Sequence, residues 1–248
     1  MEENEASFCS LWTEHTKIMN CADLFINKRL YEDYFFNRLN NVRCHDLESV
    51  IDESRRIFYE NGMNCYVYID DSDTKFEKTL LKRGFILLDT MEVLKSALDN
   101  IEYDNHKIQV SKIEVDSLSI WIDVFCRSFE IPNWKTEVER IIRMHFKELT
   151  LMLSYIEIDN SITPAGCSVL FNRHNIIGMY CLGTLASFRN QGLAKKMVKV
   201  SLQTVRKNNF GFLFLQTFVK EGFTRLYQKI GFEVVYKKKI YTLPKSFA

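Results

Sequence analysis

The sequence predicts a mixed α/β protein: a central mixed sheet flanked by helices, preceded by a smaller α/β half. Three observations carry that expectation. The C-terminal half alternates segments of helical apolar spacing with strand-like runs. One of those runs, Phe212 to Phe218, is apolar enough to lie between two covered faces rather than at an exposed antiparallel edge. And one order of elements, helix, strand, helix, Gly-Phe, strand, occurs twice along the chain, "LLKRGFILL" in the first half answering "YQKIGFEVV" in the second.

The first half is the less regular. "HDLESVIDESRRIFYENG" has helical spacing, "CYVYID" reads as a strand, "DTKFEKTLLKRG" as a helix and "FILLDTMEVLKS" as a strand. The polar stretch Leu98 to Lys107 then marks a boundary, giving expected domains at 1–100 and 106–248, the first a degenerate copy of part of the second. Beyond it "KIQVSKIEV" alternates as a strand. Asp116 is positioned to cap a helix with an apolar stripe at Leu118, Trp121, Ile122, Phe125 and Phe129, stopped by Pro132. The capping box "TEVE", Thr136 to Glu139, starts a second helix. Three strands follow, "LMLSYIEI", "AGCSVLF" and "IIGMYCLGTL", then a helix to about Lys207, the apolar strand, the helix "EGFTRLYQKIG" and a last strand "FEVVYKKKIYTL".

Composition narrows the function. With 33 Lys and Arg against 32 Asp and Glu, no global field draws the chain to nucleic acid or to an anionic membrane, so any anion site is local. No apolar run approaches the roughly 18–20 residues of a membrane span, and the acidic N-terminus does not resemble a leader. The seven cysteines show no CxxC pair, and their odd number speaks against a closed disulfide framework; they read as reduced thiols of a cytoplasmic protein. The five histidines show neither HxxxH nor HExxH spacing, so no metal is expected. The run Lys237 to Lys239 reads as a solvated strand edge rather than a nucleic-acid patch.

The junction "SFRNQGLAKKM", Ser187 to Met197, carries the chemistry. A strand that passes through a glycine-containing turn into a helix leaves the first helical N–H groups unpaired, and with the helix dipole these form an anion site. Gly192 lets the main chain approach a bulky ligand, Ala194 keeps the next turn slim, and Arg189 adds a cation. Lys195 and Lys196 oppose the dipole unless a polyanion binds there. The order fits neither G-x-x-x-x-G-K-[ST] nor G-x-G-x-x-G, so neither ATP nor NAD is indicated.

"CLGTLASFRNQGLAKKM" resembles the acetyl-CoA-binding segment of the GNAT N-acetyltransferase superfamily, whose pattern is Q/R-x-x-G-x-G/A. "EGFTRLYQKIGFEVV" is similar to that family's next segment, with a tyrosine four residues before a Gly-Phe pair. The two motifs stand in the family's order across about residues 107–243. The resemblance implies a GNAT-like sheet and acetyl-CoA as donor. It implies that the main chain of Leu182, Gly183 and Thr184 pairs with the pantetheine arm, that Arg189, Asn190, Gln191, Gly192, Leu193 and Ala194 wrap the pyrophosphate, and that Tyr227 lies at the reacting end. Asn190 replaces a frequent glycine, a substitution that asparagine's tolerance of left-handed dihedrals accommodates. Ala186 replaces a frequent proline and Lys220 a frequent asparagine. In the first half Leu80 takes the place of Tyr227 and no R-x-x-G-x-A precedes it, which leaves one active site.

The implied activity is direct acetyl transfer to a primary amine of a small molecule or peptide, with Tyr227 as acid for the leaving thiolate and a main-chain N–H near Leu182 to Thr184 as oxyanion donor. The competing reading of Tyr227 is a ring packed in the core. Glu130 and Glu157 are candidate bases, each also readable as a solvated acid; Cys181 reads as a small buried residue rather than a nucleophile. Two other functions remain open: a non-catalytic acyl-CoA-binding module, and aminoacyl transfer from charged tRNA, which the neutral net charge disfavours.

Overall fold

The computed structural model describes residues 1–96 and 106–244. Residues 98–105 of the expected boundary lie outside the described residues. The chain opens with α1 (Glu2–Trp12), whose Glu2, Glu3 and Glu5 suit the positive end of the helix. A hairpin of β1 (Glu14–Ile18) and β2 (Ala22–Ile26) turns through Met19 and Asn20, both at positive φ. The short β3 (Arg38–Asn40) pairs antiparallel with β2.

The periodic part of the first half folds as its pattern predicts. Helix α2 (Leu47–Glu60) starts at Asp46, which accepts from the Ser49 N–H at 3.0 Å, and buries Val50, Ile51, Ser54 and Phe58. Strand β4 (Cys65–Asp70) runs parallel to β3, and α3 (Thr74–Lys82) is capped by Asp73. Gly84, at φ +83°, turns the chain into β5 (Ile86–Ser96).

After β6 (Ile108–Lys112) come α4 (Leu118–Ser128) and α5 (Lys135–His145). Neither starts as the capping signals suggest. Asp116 lies in a 3₁₀ turn, and Ser117, at the N-cap, makes no side-chain cap bond. Helix α5 begins one residue before Thr136, with Trp134 at its N-cap; Glu139, the acid of the expected box, pairs with Arg143 at 2.8 Å instead of closing it. Pro132 heads the turn that leads into α5, because at a first helical position its missing N–H costs nothing. Burial decides both helices: α4 buries Trp121, Ile122 and Phe125, each such side chain contributing about 1.5–3 kcal/mol, more than a cap supplies.

Then follow β7 (Leu149–Ile158), β8 (Ser161–Arg173), β9 (Ile176–Thr184), α6 (Leu193–Lys207), β10 (Leu213–Phe218), α7 (Thr224–Lys229) and β11 (Phe232–Leu243). The result is the mixed α/β class the sequence predicts.

Two compact units divide the chain, and the division falls inside α1, β5, β10, α7 and β11. One comprises residues 1–7, 94–216 and 226–233; the other comprises 8–93, 217–225 and 234–248. In the first, β10, β9, β8, β7 and β6 are neighbours in that order, antiparallel except for the parallel β9–β10 pair. Trp121 of α4 donates from Nε1 to the Ser168 carbonyl of β8 at 3.2 Å. In the second, the order is β1, β2, β3, β4, β11, β5, over a core that includes Leu39, Val67, Phe76, Leu80 and Tyr241.

Two expectations are corrected here. Cys21 and Cys44 form a disulfide, so the cysteines are not all reduced thiols: the β2–β3 pairing brings them within 5.1 Å between Cα atoms, and the Arg43 N–H donates to the Cys21 carbonyl at 2.7 Å. A separation of 23 residues shows no such proximity in one dimension. The lysine run is not a solvated edge either. Strand β11 pairs with β4 from Lys238 to Leu243; Lys238 is buried, Lys237 meets Glu92 at 2.8 Å and Lys239 meets Glu77 at 2.9 Å. Among the described residues no helix is long and apolar enough to cross a membrane.

Candidate functional site

The site begins where β9 and β10 part. Their parallel pairing runs from Ile177↔Leu213 to Met179↔Leu215, and each strand continues past the last pair. Cys181, at φ +54°, stands where the register between β8 and β9 shifts, an extra residue that bends β9 away. Beyond it Gly183 and Thr184 still pair with Cys167 and Gly166 of β8. Among the described residues, the opposite edge of β9 over Leu182, Gly183 and Thr184 is in no strand pairing. An extended chain bearing amide groups fits such an edge as another strand does.

From Thr184 the chain enters the predicted turn. Leu185 accepts from Phe188, and Ala186 from Arg189. Asn190 adopts φ +63° and Gly192 φ +92°, so asparagine does take the left-handed conformation the motif requires. Helix α6 starts at Leu193 with no side-chain cap at Gly192. The N–H groups of its first turn therefore lack intrahelical acceptors and point toward the turn. Leu193 is buried against Ile108, Ile156 and Ala165, which leaves only its main chain for a ligand, while Ala194 is half-buried. Arg189 donates from Nε to the Thr184 carbonyl at 3.3 Å and from Nη2 to the Ser128 carbonyl at 3.2 Å. Gln191 donates to the Ser187 carbonyl at 3.4 Å. Of the residues expected at the pyrophosphate, the structure thus brings Arg189 to Ala194 into one turn directly continuous with Leu182 to Thr184.

The end of α4 forms the facing wall. A Cβ on Gly183 would meet Phe129 Cε2 and Ser128 Cβ at 2.8 Å, so only glycine lets this helix end close on β9. Beside it a cleft of about 520 Å³ is lined by residues that include Asp123, Cys126, Glu130, Lys135, Leu185 and Ser187. Burial works to raise the Asp123 carboxyl, but bonds from Lys135 at 3.1 Å and Arg127 at 3.3 Å outweigh it and hold it ionised. Burial pushes the Cys126 thiol up to about 11, which removes it as a nucleophile. Glu130, at φ +58°, is exposed with its carboxylate 3.9 Å from Arg189. Glu157 is exposed at the end of β7, opposite Ile162, and is not among the cleft residues.

Tyr227 lies on α7, 7% exposed, its ring edge-on to Phe232 at 6.2 Å. That packing is what a core tyrosine shows, and a hydroxyl at the edge of such a packed ring is equally suited to one directed proton transfer. Lys220 lies in the 3₁₀ turn before α7, where its N–H donates to Asp89 at 3.3 Å.

Sequence reasoning missed α1. Asn4 donates to the carbonyls of Phe171 at 3.1 Å and Ile176 at 2.9 Å, and accepts from the Tyr180 hydroxyl at 2.8 Å. Glu5, fully buried, accepts from the Gln216 side chain. Tyr180 and Gln216 are the first residues past the last β9–β10 pair. Only the acidic character of "MEENE" was visible in the sequence, and it says nothing of what those side chains touch.

The family described as "Acetyltransferase (GNAT) family" matches residues 118–232. Among solved structures, a GCN5-related N-acetyltransferase from Kribbella flavida is similar at a TM-score of 0.71 and 11% identity, over 99% of this chain and 95% of that one. One from Sphaerobacter thermophilus is similar at 0.69 and 13%, over 90% and 80%. A tandem GNAT protein from the clavulanic acid biosynthesis pathway is similar at 0.60 and 12%, over 84% and 76%. No protein of curated function matches.

Proposed function

Since residues 118–232 match the GNAT acetyltransferase family, we propose that the chain moves an acetyl group from acetyl-CoA to a primary amine by direct transfer, with both substrates held together. The observation that carries this reading is the continuity of the open edge of β9 with the uncapped start of α6. One path offers strand-like main-chain groups and then a ring of N–H donors, as a pantetheine diphosphate requires. The left-handed Asn190 and Gly192 and the glycine at 183 are the conformations that fit needs.

Acetyl-CoA, when bound, supplies an acyl group activated as a thioester. In the proposed arrangement Leu182, Gly183 and Thr184 hold the arm in extended form, and one of their N–H groups faces the thioester oxygen, where negative charge grows during transfer. Arg189 and the N–H groups from Asn190 to Ala194 hold the diphosphate. Tyr227 donates its hydroxyl proton to the departing sulfur. Residues 1–100 are read as a degenerate second copy: Leu80, in the place equivalent to Tyr227, is wholly enclosed in its core. The near-balanced charge accords with a chain that takes neither nucleic acid nor a membrane as partner, while the Cys21–Cys44 disulfide removes the reduced-thiol argument for a cytoplasmic setting.

Calorimetric titration with CoA, followed by thiol release from acetyl-CoA over a panel of primary amines, tests the proposal. Micromolar CoA binding with amine-dependent thiol release is expected. Binding without turnover on any amine would turn the chain into a non-catalytic acyl-CoA module, and no binding would sink the reading altogether.

A further inference from the structure

We infer that Phe129, the residue that closes α4, is the aromatic wall of the acyl-CoA arm: the exposed part of its ring packs on the middle of the pantetheine chain where that chain lies along Gly183. The inference rests on the proposed acetyl transfer, in which this stretch of the arm is held by main-chain groups alone.

A ladder of aromatics fixes the ring. Trp121, Phe125 and Phe129 stand four residues apart along α4 and its cap, so their side chains lie one above another. The rings of Trp121 and Phe125 stack at 5.2 Å and 8°, and those of Phe125 and Phe129 meet at 5.0 Å and 46°. The foot is pinned, because Trp121 donates from Nε1 to the Ser168 carbonyl at 3.2 Å. The top is held as well. The Phe129 N–H donates to the Phe125 carbonyl at 3.2 Å, and the chain then reverses through Glu130, at φ +58°, so that the Ile131 N–H returns to the Cys126 carbonyl at 2.9 Å.

Rung by rung the ladder leaves the core: Trp121 is wholly buried, Phe125 is 4% exposed and Phe129 is 42% exposed. A single exposed apolar side chain is ordinary on a protein surface, and it is the place of this one that carries the inference. Its Cε2 lies 2.8 Å from where a Cβ on Gly183 would stand, so the ring edge rests on bare main chain. Gly183 is the middle residue of the β9 segment whose outer edge is in no strand pairing among the described residues. On its other side Gly183 pairs with Cys167, which is wholly buried; that side is filled, and the free surface of the ring is left to the open edge. An extended chain added there lies about 4.8 Å from β9, within reach of an aromatic ring on the neighbouring strand position. The chemistry suits the contact. The middle of a pantetheine arm is two amides joined by methylene groups, without charge, and an aromatic face packs on both, whereas its negative face disfavours the diphosphate held further on at α6.

The test uses the full chain with CoA as the probe. Calorimetry gives CoA affinity for the wild type, Phe129→Leu and Phe129→Ala, and NMR of the saturated wild-type complex looks for nuclear Overhauser cross-peaks between the Phe129 ring protons and the methylene protons of the arm. Cross-peaks to the methylenes are expected. Affinity is expected to fall about tenfold in Phe129→Ala and about threefold in Phe129→Leu, which keeps an apolar side chain of similar reach and loses the flat face. Unchanged CoA affinity in folded Phe129→Ala would overturn the assignment. A loss of affinity in a complex whose wild type shows no cross-peak to the methylenes would overturn it too, giving the effect to the end of α4 and its hold on Arg189. Failure of the wild type to take up CoA is a separate result, which removes the acetyl-transfer reading and this contact with it.

Discussion

Arg189 is clamped to the last residue of α4: its Nη2 donates to the Ser128 carbonyl at 3.2 Å while its Nε holds Thr184 at 3.3 Å. The guanidinium is therefore oriented before any anion arrives, which lowers the entropic cost of binding one. Glu130, 3.9 Å away, is exposed and competes weakly for it.

Arg189→Ala should weaken CoA binding by about 1–3 kcal/mol, the range of a lost charge-assisted contact. Arg189→Lys should fall between, because a lysine keeps the charge without the fork that reaches two carbonyls. Calorimetry on both variants and the wild type decides; equal affinities would remove Arg189 from the site.

Gly192→Glu should abolish CoA binding, by placing a carboxylate where the diphosphate is held. At φ +92° any side chain also brings backbone strain of about 1–2 kcal/mol, so Gly192→Ala is the matched control. The alanine variant should lose thermal stability to the same degree as the glutamate variant and keep measurable CoA affinity. Loss of binding in both would assign the effect to strain alone.

Gly183→Ala places a Cβ 2.8 Å from Ser128 Cβ and Phe129 Cε2. The end of α4 must retreat, at about 1–3 kcal/mol of stability, and the Ser128 carbonyl moves off Arg189. Thermal melting and CoA affinity should fall together. A drop in one without the other would separate the packing of α4 from cofactor binding.

Tyr227→Phe removes a hydroxyl and keeps the ring against Phe232. kcat should fall roughly 10- to 1000-fold with CoA affinity near normal. Full kcat on an identified amine, measured below the melting temperature, would return Tyr227 to the core and leave water to protonate the sulfur.

Reduction of Cys21–Cys44 should destabilise the chain by about 3 kcal/mol, the loop entropy of a 23-residue closure. Melting with and without reductant, and of Cys21→Ser, measures it. CoA affinity should not change, since both cysteines lie outside the unit that carries Arg189 and Gly192.

The turn from Thr184 into α6 was legible because its determinants are consecutive: an apolar strand, Asn190 and Gly192 at left-handed positions, then helical spacing. The helices and strands after Asp46 were legible for the same reason. Asp116 and the "TEVE" box misled, because a cap contributes less than the burial that sets where α4 and α5 begin. The lysine run misled because three adjacent charges look solvated until Glu77 and Glu92 are brought to them from another part of the sheet. Nothing local signals the disulfide, or the bonds from Tyr180 to Asn4 and from Gln216 to Glu5, which join residues 176 and 211 positions apart.

Those last two separations also order events in time. Asn4 and Glu5 are synthesised well before Tyr180 and Gln216, the strand residues they bond to. A contact of such range closes only after a large loss of chain entropy, so the fork of β9 and β10 is finished late, once its remote helical turn returns to it. Until those strands are made the helical turn that carries Asn4 and Glu5 lacks these two contacts, so the fork is completed only when residues far apart in the chain are both present.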